Sequence, residues 1–335
     1  MKPIHFSRLR TSRRIRQFNL SLMATLAVMA LTACGGGGSD APAMPAAVTA
    51  TVMLQEDGTP MPTPGSEAYA AMETIASVAP VTASEVSFTN SDGLVIPARL
   101  YKSAGTGTLP TVVMMHGCAG VYSYSDPALG VSGTHKEWAK RLNDAGYAAL
   151  LVDSFTPRST QNQCGNGVAG VDEAVDRPKD ARAALQWIVS NAVAPADRVA
   201  LIGWSNGGSA TMATLDSSHA TPGSLRFAGG FSFYPGCGLL NNFGGISMSS
   251  WLPYAPLEIL HAATDPLYTA GSCGTRVNRA HTAGAVGLNL TVYAGARHSF
   301  DLATSVKAPY TQADVEAKQA ADAVVMQKLA TLLTP

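Results

Sequence analysis

From residue 111 onward the chain alternates between unbroken apolar runs and segments of helical spacing. TVVMMH (111–116), YAALLVD (147–153) and RVALIG (198–203) are continuous apolar runs. A strand with one face in water alternates apolar and polar residues, so a run without alternation is buried on both faces. Between these runs lie GTHKEWAKRLNDAG, with Trp138 and Leu142 four apart and Gly146 at its end, and VDEAVDRPKDARAALQWIVSNA, where Pro178 marks a break or a helix start. Side chains four apart share one helix face, and a terminal glycine stops a helix. SNGGSATMATLDSS is the next helix. FAGGFSFYPG, PLEILHAATD and LNLTVYAG are further strands, with SCGTRVNRAHTAGA as an intervening helix, and VEAKQAADAVVMQKLATLL ends the pattern with an apolar helix face. This order predicts an α/β fold: a mainly parallel sheet of about eight strands with helices on both faces. In such sheets ligands bind beyond the carboxyl ends of the strands, so the chemistry should collect just after the apolar runs.

Upstream, SEVSFTN and LVIPARLYKS flank SDG and read as a hairpin. Pro97 has no N–H, which places the second run at a sheet edge or a bulge. Residues 35–65 are rich in Gly, Ala, Pro and Thr and read as a linker; SEAYAAMETIASVA (66–79) reads as a short helix. The formal charge of zero conceals an asymmetry. Lys2, Arg8, Arg10, Arg13, Arg14 and Arg16 fall in the first sixteen residues, so the rest of the chain carries six more acidic than basic groups. No basic cluster is left there, which argues against nucleic acid as a partner. The basic segment is followed by LSLMATLAVMALTA, an apolar stretch too short to span a bilayer comfortably. This is the layout of a secretory signal. It ends in LTAC, which resembles the lipobox of bacterial lipoproteins. That resemblance implies lipidation at Cys34, with GGGGSDAPAMPAA as the tether. Gly35 in place of aspartate implies the outer membrane, on its periplasmic or surface face. The expected organisation is a signal peptide (1–33), a lipid-anchored linker (34–80) and a catalytic domain (81–335).

GWSNGG (203–208) follows the strand RVALIG and opens a helix. This is the strand–turn–helix context of a nucleophile elbow, in which Ser205 sits on a tight turn and small neighbours let the helix approach its strand. A serine nucleophile needs a base, and the base needs an orienting carboxylate. In this chain order the acid and then the histidine follow the serine. Before residue 300 the acids after Ser205 are Asp216, Glu258 and Asp265. Asp216 falls on the helix after the elbow and Glu258 within a strand run, whereas Asp265 lies just past the end of EILHAAT. Two histidines follow Asp265. His281 falls in a polar helical stretch, and His298 lies past the strand LTVYAG. Ser205, Asp265 and His298 thus form the candidate triad. The oxyanion needs two N–H donors. One is the backbone N–H of Asn206. The other comes from the loop HGCAG, at Cys118 or alternatively Ala119. His116, in that loop, reads as structural rather than as the base.

MMHGCAG, LLVDSFTPR, GWSNGG, HAATDP and YAGARHSFD together resemble the dienelactone hydrolase branch of the α/β-hydrolases. The resemblance covers about residues 85–332 and implies an α/β-hydrolase fold, ester hydrolysis and a triad at Ser205, Asp265 and His298. Two departures limit it. That branch uses a cysteine nucleophile, here Ser205, and commonly has a glutamate after the oxyanion-loop histidine, here Gly117. Both departures point away from a dienelactone substrate and toward a serine esterase on the same scaffold.

After Cys34 the chain holds Cys118, Cys164, Cys237 and Cys273. An even count in an exported protein reads as disulfides, and zinc-type CxxC spacing is lacking. Loops adjacent at one end of such a sheet suggest Cys118–Cys164 and Cys237–Cys273, bracing two sides of the site. Tyr122, Tyr124, Phe155, Tyr234 and Trp251 lie in loops beyond strand ends, where an aromatic lines a pocket or packs. Arg177 and Asp180, near a helix start, read as a structural pair. FSFYPG is followed by no long insertion, so no large lid domain is expected. The expected activity is carboxylic ester hydrolysis through an acyl-enzyme, on a small-molecule or polymeric ester. No metal or organic cofactor is implied, and membrane contact is by the lipid anchor only. The alternatives are a peptidase of prolyl-oligopeptidase type, a polyester or cutinase-like hydrolase, and a non-catalytic lipid-anchored binding protein.

Overall fold

The computed structural model describes residues 83–334, apart from 104–105, 123–129, 165–169, 238–250, 270–271 and 306–308. The expected signal peptide, Cys34, the expected linker and the helix expected over 66–79 lie outside the described residues.

The hairpin forms as expected. β1 (Ala83–Thr89) and β2 (Val95–Tyr101) pair antiparallel. The Asn90 side-chain oxygen closes the turn by accepting from the N–H groups of Asp92 and Leu94, the local hydrogen bonding that makes asparagine a turn residue. β3 (Thr111–Met115), β4 (Ala148–Val152), β5 (Val199–Trp204), β6 (Gly229–Phe233), β7 (Leu257–Ala262) and β8 (Leu288–Tyr293) complete an eight-stranded sheet. The strand order is β1-β2-β4-β3-β5-β6-β7-β8. β2 joins β4 antiparallel, and every pair from β4 through β8 is parallel. This is the mainly parallel sheet that the alternation of runs and helices predicts.

Pro97 is a correction. β2 is an inner strand, flanked by β1 and β4, not an edge. The ladder between β2 and β4 starts only at Ala98, opposite Val152. Pro97 still accepts from the N–H of Asp153 through its carbonyl. A strand residue's N–H and C=O point to the same side, so the missing donor faces Asp153, just past the end of β4, and the cost is confined to one reciprocal bond at the end of the ladder.

Among the described residues, six helices accompany the sheet: α1 (Gly133–Asp144), α2 (Asp176–Ser190), α3 (Asn206–Thr214), the short α4 (Pro266–Thr269), α5 (Ser272–Thr282) and α6 (Gln312–Leu332). The all-buried strands sort their side chains by the two-residue period of a pleated strand. Val113 and Met115 of β3, Leu150 and Val152 of β4 and Leu201 of β5 join one core with Ala181, Leu185 and Ile188 of α2, Met212 of α3 and Val277 of α5. Val112 and Met114, Leu151, and Ile202 and Trp204 face the other way, into a core with Trp138 and Leu142 of α1 and Ala321, Val325 and Leu329 of α6. Each such aliphatic side chain contributes about 1.5–3 kcal/mol by leaving water, so both faces of the strands are committed to packing.

Helix ends follow local rules. α1 stops at Gly146, which takes φ +85°, a value that glycine adopts without Cβ strain. Pro178 lies in the first turn of α2, where a missing N–H breaks no helix bond. Thr311 and Asp314 form a reciprocal capping box that starts α6.

Candidate active site

The chemistry collects where the strands end. Ser205 directly follows β5, His116 directly follows β3, and Asp265 and His298 lie in the loops after β7 and β8. The elbow is tight. Ser205 takes φ 52° and ψ −115°, a conformation that a residue with a Cβ adopts only at a cost of order 1–3 kcal/mol. The surrounding structure holds it there. Its N–H donates to the Phe233 carbonyl at 2.9 Å, and its carbonyl accepts from Ser209 at 2.9 Å. A Cβ on Gly203 would collide with the Gly207 carbonyl, and one on Gly207 with the carbonyls of Met115 and His116. The glycines flanking Ser205 are therefore required by close backbone approach.

His298 joins the other two triad candidates. Its Nε2 lies 3.0 Å from Ser205 Oγ, and its Nδ1 lies 2.6 Å from Asp265 Oδ2. Ser205 is 5% exposed, His298 9% and Asp265 fully buried. Burial pushes the Asp265 carboxyl up. The hydrogen bond from His298, the charges of His298 and His261 and the N–H of Leu267 more than offset this, and hold it below the usual carboxylate range. His281 instead lies in α5, away from the triad, and its Nε2 meets the Leu288 carbonyl. Asp216 caps the turn at Ser217–His219 rather than lying on the elbow helix. Glu258 faces Asn289 and Lys328.

Of the oxyanion candidates, Asn206 opens α3 and Cys118 lies two residues past His116. A Cβ on Gly117 would lie 3.7 Å from the Cβ of Ser205, so the loop passes directly over the serine. Neither N–H, of Asn206 or of Cys118, is taken up by a backbone carbonyl of the described residues. His116 is fully buried and both ring nitrogens are engaged: Nδ1 with the Gly117 carbonyl at 2.7 Å, Nε2 with the Ser154 N–H at 3.3 Å. Burial, together with the Arg177 charge, holds its imidazole well below the usual range.

Both disulfides pair as expected, Cys118–Cys164 and Cys237–Cys273. The first ties the oxyanion loop to the loop after β4, where the Gln163 N–H also donates to the Cys118 carbonyl at 2.8 Å. The second ties the loop after β6 to α5.

Three features escape the sequence reading. His261 is fully buried on β7, and its Nδ1 lies 3.6 Å from Asp265 Oδ2. Its Nε2 meets the Pro235 carbonyl at 2.9 Å, while Nδ1 accepts from the Ala262 N–H at 3.0 Å. The spacing of four between His261 and Asp265 is the sequence signal, masked by the apolar strand around it. Tyr234 packs its ring on His298, 4.7 Å between centroids, and donates its hydroxyl to the fully buried carboxylate of Asp301. An acid set between Phe300 and the apolar pair Leu302 and Ala303 is the signal there. Burial pushes Asp301 up to about 6, with the Lys318 charge opposing.

The third feature corrects an expectation. Arg177 and Asp180 do not pair with each other. Asp180 accepts from Arg158 and Asn90, whereas Arg177 donates to the Asn206 side-chain oxygen and, at 2.7 Å, to the His116 carbonyl. On a helix, residues three apart share a face only roughly, and here the two side chains turn to different loops. Among the loop aromatics, Trp251 is core, its Nε1 donating to the Met212 carbonyl at 3.0 Å. Phe155 packs on His116, Tyr122 lies beneath the Arg99 guanidinium, and Tyr124 lies outside the described residues. Much of the segment after β6 is likewise outside them. Among the described residues, no group of three or more His, Cys, Asp or Glu side chains is placed to hold a metal ion.

A family model for the dienelactone hydrolase family matches residues 96–333. The chain belongs to the dienelactone hydrolase family. Membership makes it an ester-hydrolysing enzyme. Among curated proteins, none matches it. Solved structures share its fold. A Klebsiella pneumoniae protein designated a dienelactone hydrolase is 20% identical, with a TM-score of 0.57, covering 74% of this chain and 98% of its own. A dienelactone hydrolase-like promiscuous phosphotriesterase from metagenomic libraries is 21% identical, with a TM-score of 0.54, covering 76% and 99%. Brefeldin A esterase, described as a bacterial homologue of human hormone-sensitive lipase, is 17% identical, with a TM-score of 0.53, covering 78% and 81%.

Proposed function

We propose that this family member is a serine esterase acting through an acyl-enzyme, with Ser205, His298 and Asp265 as its triad. The observation that carries this reading is that one imidazole bonds the serine hydroxyl through Nε2 and the buried carboxylate through Nδ1. His298 Nε2 takes the Ser205 proton as Oγ attacks the ester carbonyl carbon. Asp265 accepts from Nδ1–H and stabilises the imidazolium. The backbone N–H groups of Asn206 and Cys118 receive the oxyanion. The tetrahedral adduct collapses, the C–O bond to the alcohol breaks, and the imidazolium gives the alkoxide its proton. Water then attacks the acyl-enzyme, losing a proton to Nε2, and the acid leaves as Ser205 recovers its proton.

Ser205 stands where this family uses a cysteine, which supports an ester other than a dienelactone. The test is a panel of nitrophenyl esters of graded acyl length against wild type and Ser205→Ala, alongside labelling by a fluorophosphonate. Wild type is expected to turn over and to label at Ser205; equal turnover by the Ala variant would remove the nucleophile assignment.

We also infer that the enzyme is exported and held to the outer membrane by lipid on Cys34, with its ester substrate, and not nucleic acid, as its partner. Supporting this are the basic–apolar–LTAC order and two disulfides, which persist in oxidising compartments. Metabolic labelling with a fatty acid should mark wild type and not Cys34→Ser; equal labelling would overturn it.

A further inference from the structure

Arg177 is fully buried on α2, yet its two terminal nitrogens leave that helix and reach both sides of the oxyanion site. One donates to the side-chain oxygen of Asn206, the residue after the nucleophile. The other donates to the carbonyl of His116, two residues before Cys118. These two sides belong to separate segments. The ladder between β3 and β5 ends with Met115 opposite Gly203, so the backbone bonds that fix their spacing stop just short of both donors. Past that point no backbone hydrogen bond among the described residues joins 116–118 to 204–206, although the two segments run close enough that a Cβ on Gly117 or Gly207 would meet the other. A guanidinium is a rigid planar fork whose nitrogens hold two acceptors at a fixed separation.

The fork is itself held in place. Its carbon lies 5.3 Å from the Phe155 ring centroid, and Phe155 packs edge-on to His116 at 4.4 Å. The other end of the Asn206 carboxamide donates through Nδ2 to Glu173 Oε2 at 2.9 Å, and Glu173 is 3% exposed. The Asn206 side chain therefore has one orientation, oxygen to Arg177 and nitrogen to Glu173. Oxyanion donors act only when they sit about 2.7–3.1 Å from the oxygen's position in the transition state. A cross-brace that fixes the distance between the two donors acts on the transition state and not on ground-state binding.

We propose that Arg177 is a positioning residue that sets the spacing of the two oxyanion donors by bridging the Asn206 side chain and the His116 carbonyl. It rests on the assignment of Ser205 as nucleophile. The test compares Arg177→Lys, which offers a point charge in place of the fork, with Asn206→Ala, which keeps the donor N–H and removes both side-chain bonds. Fluorophosphonate titration counts active sites, so kcat is expressed per competent serine and partial misfolding drops out. Both variants are expected to lose about tenfold or more in kcat with KM within about threefold, a part of the 10²- to 10³-fold that removing a donor costs. Affinity for a trifluoromethyl ketone, a tetrahedral mimic, is expected to fall by the same factor. A smaller kcat loss in Asn206→Ala, or a loss carried by KM, overturns the proposal. Where Arg177→Lys fails to fold, Asn206→Ala decides alone. Failure of the nucleophile reading looks different, since Ser205→Ala would then keep its activity and wild type would not label.

Discussion

Thr264 grips the Ala296 carbonyl twice, with its backbone N–H at 3.0 Å and its hydroxyl at 2.5 Å. Thr264 precedes Asp265, and Ala296 lies two residues before His298, so the loops after β7 and β8 are joined independently of the Asp265–His298 bond. Thr264→Val keeps the side chain's shape and removes the hydroxyl bond. The expected result is a loss of about 1 kcal/mol in stability and a several-fold fall in kcat with KM unchanged. Urea unfolding and steady-state kinetics measure the two, and a kcat equal to wild type would mean that the backbone bond alone aligns the loops.

Asp301 gives the fold a signed pH dependence. Its carboxyl is raised from 3.8 to about 6 by burial, so the fold favours its neutral form. Its contribution is fully present below about pH 4 and is lost as pH rises through about 6. Asp301→Asn keeps an acceptor for the Tyr234 hydroxyl and cannot ionise. Relative to wild type it should gain on the order of 2 kcal/mol between pH 4 and pH 8. Denaturant unfolding at both pH values, with disulfides intact, tests this. A variant that weakens relative to wild type at pH 8 would show that Lys318 keeps Asp301 ionised.

The sheet was legible because its runs TVVMM, AALLV and VALIGW are buried on both faces, a pattern that needs no knowledge of the partner strands. The convergence of Ser205, Asp265 and His298 was legible for a related reason: each lies just past such a run, and chain order left few competitors. His261, Asp301 and the Arg177 bridge were not, because their roles depend on side chains that converge from segments far apart in sequence. Asp301 pairs with Tyr234 across 67 positions, and Arg177 reaches Asn206 across 29 and His116 across 61. Pro97 misled because a local rule, no donor for the ladder, was read as an edge when the neighbouring strand simply stopped.

The two disulfides should separate by effect. Each closes a loop of comparable length, with sequence separations of 46 and 36, so removing either should cost about 2–4 kcal/mol. Only Cys118–Cys164 fixes a residue assigned as an oxyanion donor. The Cys118→Ala/Cys164→Ala variant is therefore expected to lose kcat at a temperature where it is fully folded. Cys237→Ala/Cys273→Ala should lose stability with a smaller change in kcat. Comparison of melting curves with kcat per titrated serine checks the contrast, and equal kcat losses would remove the distinction between the two braces.

Asp265→Asn tests the tautomer of His298. Asp265 Oδ1 accepts from the Leu267 N–H at 2.9 Å and Oδ2 from His298 Nδ1. His261 supplies no proton to this carboxylate, because its Nδ1 is occupied as an acceptor of the Ala262 N–H. An asparagine keeps its oxygen on Leu267, which places its amide N–H groups toward His298 Nδ1. Nδ1 must then accept, the ring proton moves to Nε2, and His298 no longer accepts from Ser205. The expected loss in kcat is about 10³- to 10⁴-fold, the scale on which a wrong tautomer acts in such triads, with the melting temperature near wild type because the Leu267 bond survives. The measurement is kcat per folded enzyme at pH 7, and a loss under tenfold would place the orienting carboxylate elsewhere.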